Sequence, residues 1–370
     1  MTHRIGCGAG ALRGVLVTLA LLFACPAPGV AQEADPAPRK AGQRGLDYLL
    51  TSANEWQKRH RCYGCHVQGV AIMGAALSKH NDYKVDLAKV EPLTSNMVSA
   101  VQGYPPGMDG HLFAGVYYAG IALAFYNRYI SDAHKGLFRS LAKTIIDRQQ
   151  PDGHWAEGRI EPPVDQGAIK STASCLVTLL EARHVESGAP VDPAVSRAIE
   201  WLKKEPPATT QDHSYKIIGL SWRQEGKAPE GVDAAAKSLL TLQNADGGWP
   251  EERGMGSNAY ATGMALYALK EASVPVTDPG MVRGTLFLLR TQRSEGEWEL
   301  MNSRARRPSS FPSTMYAVVG LGGVFDPDSE REFLSLFRGG GKKGRISVAS
   351  VVVYLAFPII VLLALRKVRG

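Results

Sequence analysis

The chain has 370 residues, 45% hydrophobic and 21% charged, with five cysteines and a formal net charge of +7. That length holds one large domain or two small ones with ample core, and so few cysteines exclude a disulfide framework. The positive charge belongs to the flanks: residues 1–31 carry two basic residues and 338–370 carry seven, with no acids in either. The stretch between has thirty-three basic against thirty-five acidic residues, so the body offers no basic face and no nucleic-acid partner is expected.

Residues 1–31 read as a secretory signal. Arg4 and Arg13 supply positive charge, Val15 to Ala24 form a short apolar run, and Gly29 to Ala31 offer small residues for cleavage before Gln32. A rival lipoprotein-type site ends at Cys25 in "LFAC", where Phe23 fits poorly. The signal places the body outside the cytoplasm, at the cell envelope. With Cys7 and Cys25 inside it, Cys62, Cys65 and Cys175 remain.

The next element is a helix over "GLDYLLTSANEWQKR", followed by Cys62-Tyr63-Gly64-Cys65-His66 and a second helix over "VQGVAIMGAALSKH". C-x-x-C-H is the attachment pattern of c-type haem. Two thiols add to the haem vinyl groups, and the histidine reaches the iron as proximal ligand. Haem c held by Cys62 and Cys65, with His66 on iron, is the leading reading. Three others stay open: a small disulfide, zinc held with His60 or His66, and no function.

A repeat then runs through the body. "QQPDGHW" (Gln149 to Trp155), "QNADGGW" (Gln243 to Trp249) and "QRSEGEW" (Gln292 to Trp298) share Q-x-x-x-G-x-W. Their spacing leaves room for one degenerate unit, found in "DPAVSRAIEWLKKEPP" followed by "DHSYKIIGLSW". Stepping back by the same period reaches Gln102 and then Gln57, just before the cysteine pair. The count is about six units, each an amphipathic helix, a turn and a second helix rich in small and apolar residues. Asp192-Pro193 and Asp278-Pro279 read as N-cap plus proline at the first helical position. The expected fold is all-α: an α/α toroid of about six helix-pair repeats over residues 42–325, the second helices forming an inner ring. All six turns should gather on one rim.

The turns and paired helices resemble the repeats of squalene–hopene cyclases and protein prenyltransferase β-subunits. The resemblance covers about Gly45 to Gly323 and implies that each glutamine caps the outer helix and stacks on the tryptophan, a scaffold role. It does not carry an activity with it. The acidic D-x-D-D run with which squalene–hopene cyclases protonate an alkene is missing, as is the Asp-x-Cys zinc pair of prenyltransferases. The chain is also similar to haem-bearing toroid proteins with C-x-x-C-H at the first repeat. Lanthionine synthetase cyclases offer a toroid precedent for zinc on two cysteines and a histidine.

For the second iron ligand, Met108 and His111 in "GYPPGMDGHLF" are the first candidates. His60, His154, His213, Met255 and Met301 are expected on the same rim, and five-coordinate iron stays open. His80, His134 and His184 fall on the other rim, and Cys175 reads as a buried apolar residue. Arg304, Arg306 and Arg307 could meet haem propionates or an anionic partner, although a solvated loop is the simpler reading.

Residues 326–345 read as a linker. Ile346 to Leu365 is uncharged and long enough to span a bilayer despite Pro358. The basic tail 366–370 would stay inside. A processed C-terminal sorting tag has the same pattern. Partners implied are the membrane, a redox protein, and an apolar small molecule in the toroid cavity. The leading function is electron transfer or haem-based sensing. A terpenoid-cyclase-like enzyme and a partner-binding module are the alternatives.

Overall fold

The computed structural model describes residues 37–60, 65–104, 108–156, 162–185, 191–224, 229–305 and 310–338. The signal, Cys62, Arg306, Arg307 and the apolar segment 346–365 lie outside them. Among the described residues the structure is all-helical, with only isolated bridge residues outside the helices: Pro250 paired with Ser257, and Asp165.

The helices are α1 (Pro38–His60), α2 (Cys65–His80), α3 (Leu87–Gln102), α4 (Gly110–Tyr129), α5 (Leu137–Ile146), α6 (Ala168–Val185) and α7 (Asp192–Lys204). They continue with α8 (Thr210–Ser221), α9 (Val232–Thr241), α10 (Ala259–Glu271), α11 (Pro279–Thr291), α12 (Ser310–Val324) and α13 (Pro327–Ser335). None of them is long and apolar enough to cross a membrane. The segment read as a linker begins with α13, whose Phe333 is fully buried against Phe325. The expected cap is present at Asp278, which accepts from the Gly280 and Met281 amides, and the structure adds a capping box of Thr209 with Asp212 at the start of α8. Asp192 is instead the first residue of α7; its carboxylate meets Arg183 at 3.4 Å rather than the helix amides.

Two kinds of helix alternate. In α5 the buried residues are Phe138, Leu141, Ala142 and Ile145, one face at helical spacing. Ten residues make a marginal helix alone. Burying Phe138, Leu141 and Ile145 contributes roughly 5–9 kcal/mol at ordinary per-side-chain values, enough to decide the matter. In α6, by contrast, every residue from Ile169 to Ala182 is buried, the signature of a helix surrounded by others. The even-numbered helices α2 to α12 share this character. Each packs against the next, and α12 packs against α2, so the succession closes on itself. The odd-numbered helices α1 to α11 lie against this set through their apolar faces. Close approach needs glycine: a Cβ on Gly263 of α10 would lie 2.0 Å from the Tyr316 carbonyl oxygen of α12.

The Q-x-x-x-G-x-W segments join α5 to α6, α9 to α10 and α11 to α12, and the same bonds recur in all three. The glutamine amide donates to the glycine carbonyl of its own turn and to a carbonyl early in the next odd-numbered helix. Gln149 reaches Ala194, Gln243 reaches Gly280, and Gln292 reaches Ala41, at 2.8–2.9 Å. Arg197, Arg283 and Arg44 bond the opposite end of each glutamine. The tryptophan ring donates to the last turn of the preceding helix, at Ile145, Leu239 and Leu288. The tryptophan thus ties the end of one odd-numbered helix, and the glutamine the start of the next. Each tryptophan amide donates to a threonine, Thr172, Thr262 or Thr314, in the following even-numbered helix.

The turn glycines Gly153, Gly247 and Gly296 hold φ between +87° and +106°, and a Cβ there would lie 2.5–2.8 Å from the Arg197, Arg283 or Arg44 carbonyl oxygen. Gly247→Ala is therefore expected to cost about 1–3 kcal/mol. Gly136→Ala, in open space at φ −62°, should be neutral or stabilising by about 0.4–1 kcal/mol. Thermal melts of the two variants check the contrast.

Candidate functional site

The cysteine motif falls between the end of α1 and the first residues of α2, the place in sequence that Q-x-x-x-G-x-W holds in the three units above. Cys65 opens α2 and His66 follows in its first turn, half-buried, its ring centred 6.4 Å from that of Tyr118 in α4. On the other flank His60 ends α1, stacked on Trp56 at 4.4 Å, with Nδ1 bonded to the Trp56 carbonyl.

Gly69 of α2 lies against Tyr118, and His80 against Tyr129, in one shared register. The two helices therefore run parallel. The register sets His66 level with Gly115 and puts the start of α4, with Met108 and His111, at the same end of the pair. Met108 is half-buried, and its carbonyl accepts from Arg148. Of the other rim candidates, His213 has both ring nitrogens engaged, with the Thr209 carbonyl at 2.8 Å and Ser238 Oγ at 2.9 Å. His154 bonds Asp152 at 2.6 Å and stacks on Trp201. Met301 is exposed, while Met255 borders a cavity of about 410 Å³ with Leu300 and Asn302. Arg304 pairs with Glu252. Cys175 is fully buried, and burial pushes its thiol up, away from reactivity.

Two thiols and an imidazole at this turn suit covalent haem, and they suit zinc as well. In the described half of the motif, His66 precedes the buried Val67 and Val70 and lies beside the Tyr118 ring. Among the described residues, which exclude Cys62, no three His, Cys, Asp or Glu side chains gather to hold a metal ion.

A second constellation lies deeper and was not singled out in the sequence. Asp165, in the segment before α6, accepts from Tyr117 Oη at 2.8 Å to each carboxylate oxygen and from Lys170 Nζ at 2.9 Å. The Lys170 side chain is 1% exposed and that of Asp165 7%. The ammonium lies 3.5 Å from the centre of the Tyr118 ring. Tyr260 and Tyr316 meet edge-on at 4.8 Å, and Tyr316 bonds Tyr215 at 2.7 Å. Burial pushes all three of these hydroxyls, and that of Tyr118, well up, so they stay protonated donors. The available signal was Lys170 itself, a charge in the otherwise small and apolar "AIKSTASCLV" run.

The sequence matches no protein-family model and no curated protein.

Breaking the buried pair on one side should be costly. Lys170→Met leaves Asp165 unbalanced and is expected to destabilise by about 3–5 kcal/mol. The double variant Lys170→Met, Asp165→Leu should recover much of this in a denaturant titration. A second expectation concerns acid. Burial holds the His213 imidazole below its ordinary value, which the bond to Thr209 only partly opposes. The unfolded chain therefore takes the proton more readily. Stability is full above about pH 6.5 and falls as pH drops below it. His213→Gln should flatten the dependence of melting temperature on pH between about 7.5 and 5.5.

Proposed function

We propose that this chain is an exported, membrane-anchored c-type haem protein built on an α/α toroid, serving electron transfer or haem-based sensing at the cell envelope. Support for the toroid comes from the closed succession of even-numbered helices with the odd-numbered ones packed against it. The haem reading is carried by one observation: C-x-x-C-H stands at a turn where three other units carry a purely structural motif. The scaffold makes no demand for cysteine or histidine there. Cys62 and Cys65 would hold the group, His66 would bind its iron, and Met108 or His111 would be the second ligand. When bound, haem supplies a one-electron couple or a site for a small gaseous ligand. The chain's own residues orient His66 through the first turn of α2 and supply a wall of Val67, Val70 and Tyr118. Residues 346–365 would anchor the protein, with its body outside the cytoplasm.

The terpenoid-cyclase-like reading gains one feature, a centre lined by tyrosines around a hydrogen-bonded carboxyl group. It loses another, because Asp165 is ion-paired with Lys170. An alkene needs a protonated acid, and an acid balanced by an ammonium is poorly suited to supply it.

Expression with a cytochrome c maturation system tests the haem reading. A pyridine haemochrome spectrum of the c type is expected, lost in the Cys62→Ser, Cys65→Ser double variant. Absence of covalent haem in the parent chain overturns it, and metal analysis then separates zinc from a disulfide. Of Met108→Ala and His111→Ala, the variant that changes the iron spectrum names the second ligand.

A further inference from the structure

The connection from α1 to α2 starts, like those of the three Q-x-x-x-G-x-W units, with a glutamine. Gln57 donates from Nε2 to the Pro92 carbonyl of α3 at 3.3 Å, as Gln149, Gln243 and Gln292 donate to the next odd-numbered helix. The rest of the lock is replaced. In the other units an arginine three residues beyond that carbonyl, Arg197, Arg283 or Arg44, holds the glutamine Oε1. In α3 that place is Ser95. Four residues beyond the carbonyl, Gly284 and Gly45 lie against a tryptophan ring. In α3 that place is Asn96. The connection is also shorter: α2 starts eight positions after Gln57, whereas α6, α10 and α12 start 16–19 positions after their glutamines. It contains no tryptophan.

One side chain stands in for the missing parts. Gln68 is fully buried and is the fourth residue of α2. The threonines that take the tryptophan amide, Thr172, Thr262 and Thr314, are fourth or fifth in their helices. Gln68 Nε2 donates to Gln57 Oε1 at 2.7 Å and to Asn96 Oδ1 at 2.9 Å. The first turn of α2 is thereby tied to the last turn of α1 and to the middle of α3. This tie gives up stability. Gln68 Oε1 is buried with no hydrogen-bond partner, at a cost of about 1–3 kcal/mol. Threonine serves the scaffold in three units and leaves no such orphan. A costly polar tie beside a Cys-His pair points to position as its purpose. We propose that Gln68 is the positioning residue of the cysteine motif. It fixes the height and rotation of the first turn of α2, which begins with Cys65 and His66, against α1, whose last residue precedes Cys62 by two places. Groups behind a metal ligand commonly set its orientation. Gln68 acts through the helix, without touching the bound group. The proposal rests on the haem reading of the motif.

The test uses the full chain, expressed with a cytochrome c maturation system. Covalent haem per folded chain is read by mass spectrometry, and the haemochrome band separates one thioether from two. Gln68→Leu keeps the bulk of the side chain and removes both bonds. The fraction of chains with doubly attached haem should fall about tenfold. Thr262→Val removes the corresponding tie from the α9–α10 unit and is the scaffold control. It should lower the melting temperature and leave haem attachment unchanged. A Gln68→Leu chain loaded as fully as the parent overturns the proposal. So does an equal loss in Thr262→Val, which would make the effect one of stability alone. If Gln68→Leu does not fold, Asn96→Ala decides, since it takes from Gln68 one of its two acceptors. A smaller loss of doubly attached haem is then expected, and unchanged attachment overturns the proposal. A parent chain that takes up no haem is a different result: it overturns the reading of the motif, and this proposal with it.

Discussion

The fold depends on an amide that bonds in two directions. In each Q-x-x-x-G-x-W unit the glutamine ties its own turn and, through the same Nε2, the start of the next odd-numbered helix. The last of these bonds runs from Gln292 back to Ala41, so the last unit is stitched to α1. Each bond is worth about 0.5–1.5 kcal/mol net, and the six together approach the stability of a typical domain. Their value lies as much in register. A helix pair alone would slide along its neighbour, whereas a fixed carbonyl sets the height at which the next unit docks. The tryptophan completes the constraint by bonding the helix before it and packing on a small residue of the next odd-numbered helix. A Cβ added to Gly284 or Gly45 would lie 2.5 or 2.7 Å from its ring.

Much of this was legible in the sequence. The glutamine, glycine and tryptophan recur at fixed spacing, and a glycine shortly after a helix marks a left-handed turn residue. The partner half of the lock was less so. "AGQRG", "AVSRA" and "GMVRG" place a small residue, an arginine and another small residue where the turn docks. Small residues carry little signal by themselves, and the pattern acquires meaning only once its carbonyl and guanidinium are seen on the glutamine. The resemblance implied that the glutamine caps an outer helix; its amide bonds the start of the next odd-numbered helix, and the indole bonds the end of the preceding one.

The centre was hidden for a different physical reason. Asp165 and Lys170 are close in sequence, yet an aspartate in a Pro-rich segment and a lysine early in a helix describe an exposed loop equally well. Only the closed succession of helices, which brings Tyr117, Gln211 and Tyr260 around the segment, makes them interior. The cysteine motif was easy to see because its chemistry is compact. The centre is spread over four helices and has no compact form to recognise.

Tyr118 joins the two regions. Its hydroxyl is fixed by the Val164 carbonyl and kept protonated by burial, and its ring is covered by the Lys170 ammonium at 3.5 Å. His66 stands 6.4 Å from that ring. The orientation of the ring beside His66 is therefore set by the Val164 carbonyl and the buried ion pair as well as by α4. A side chain held by a hydrogen bond at its tip and a cation on its face has little freedom left. Loss of the bond to Val164 would release the tip of this ring, and that one tyrosine links the buried 162–166 segment to His66.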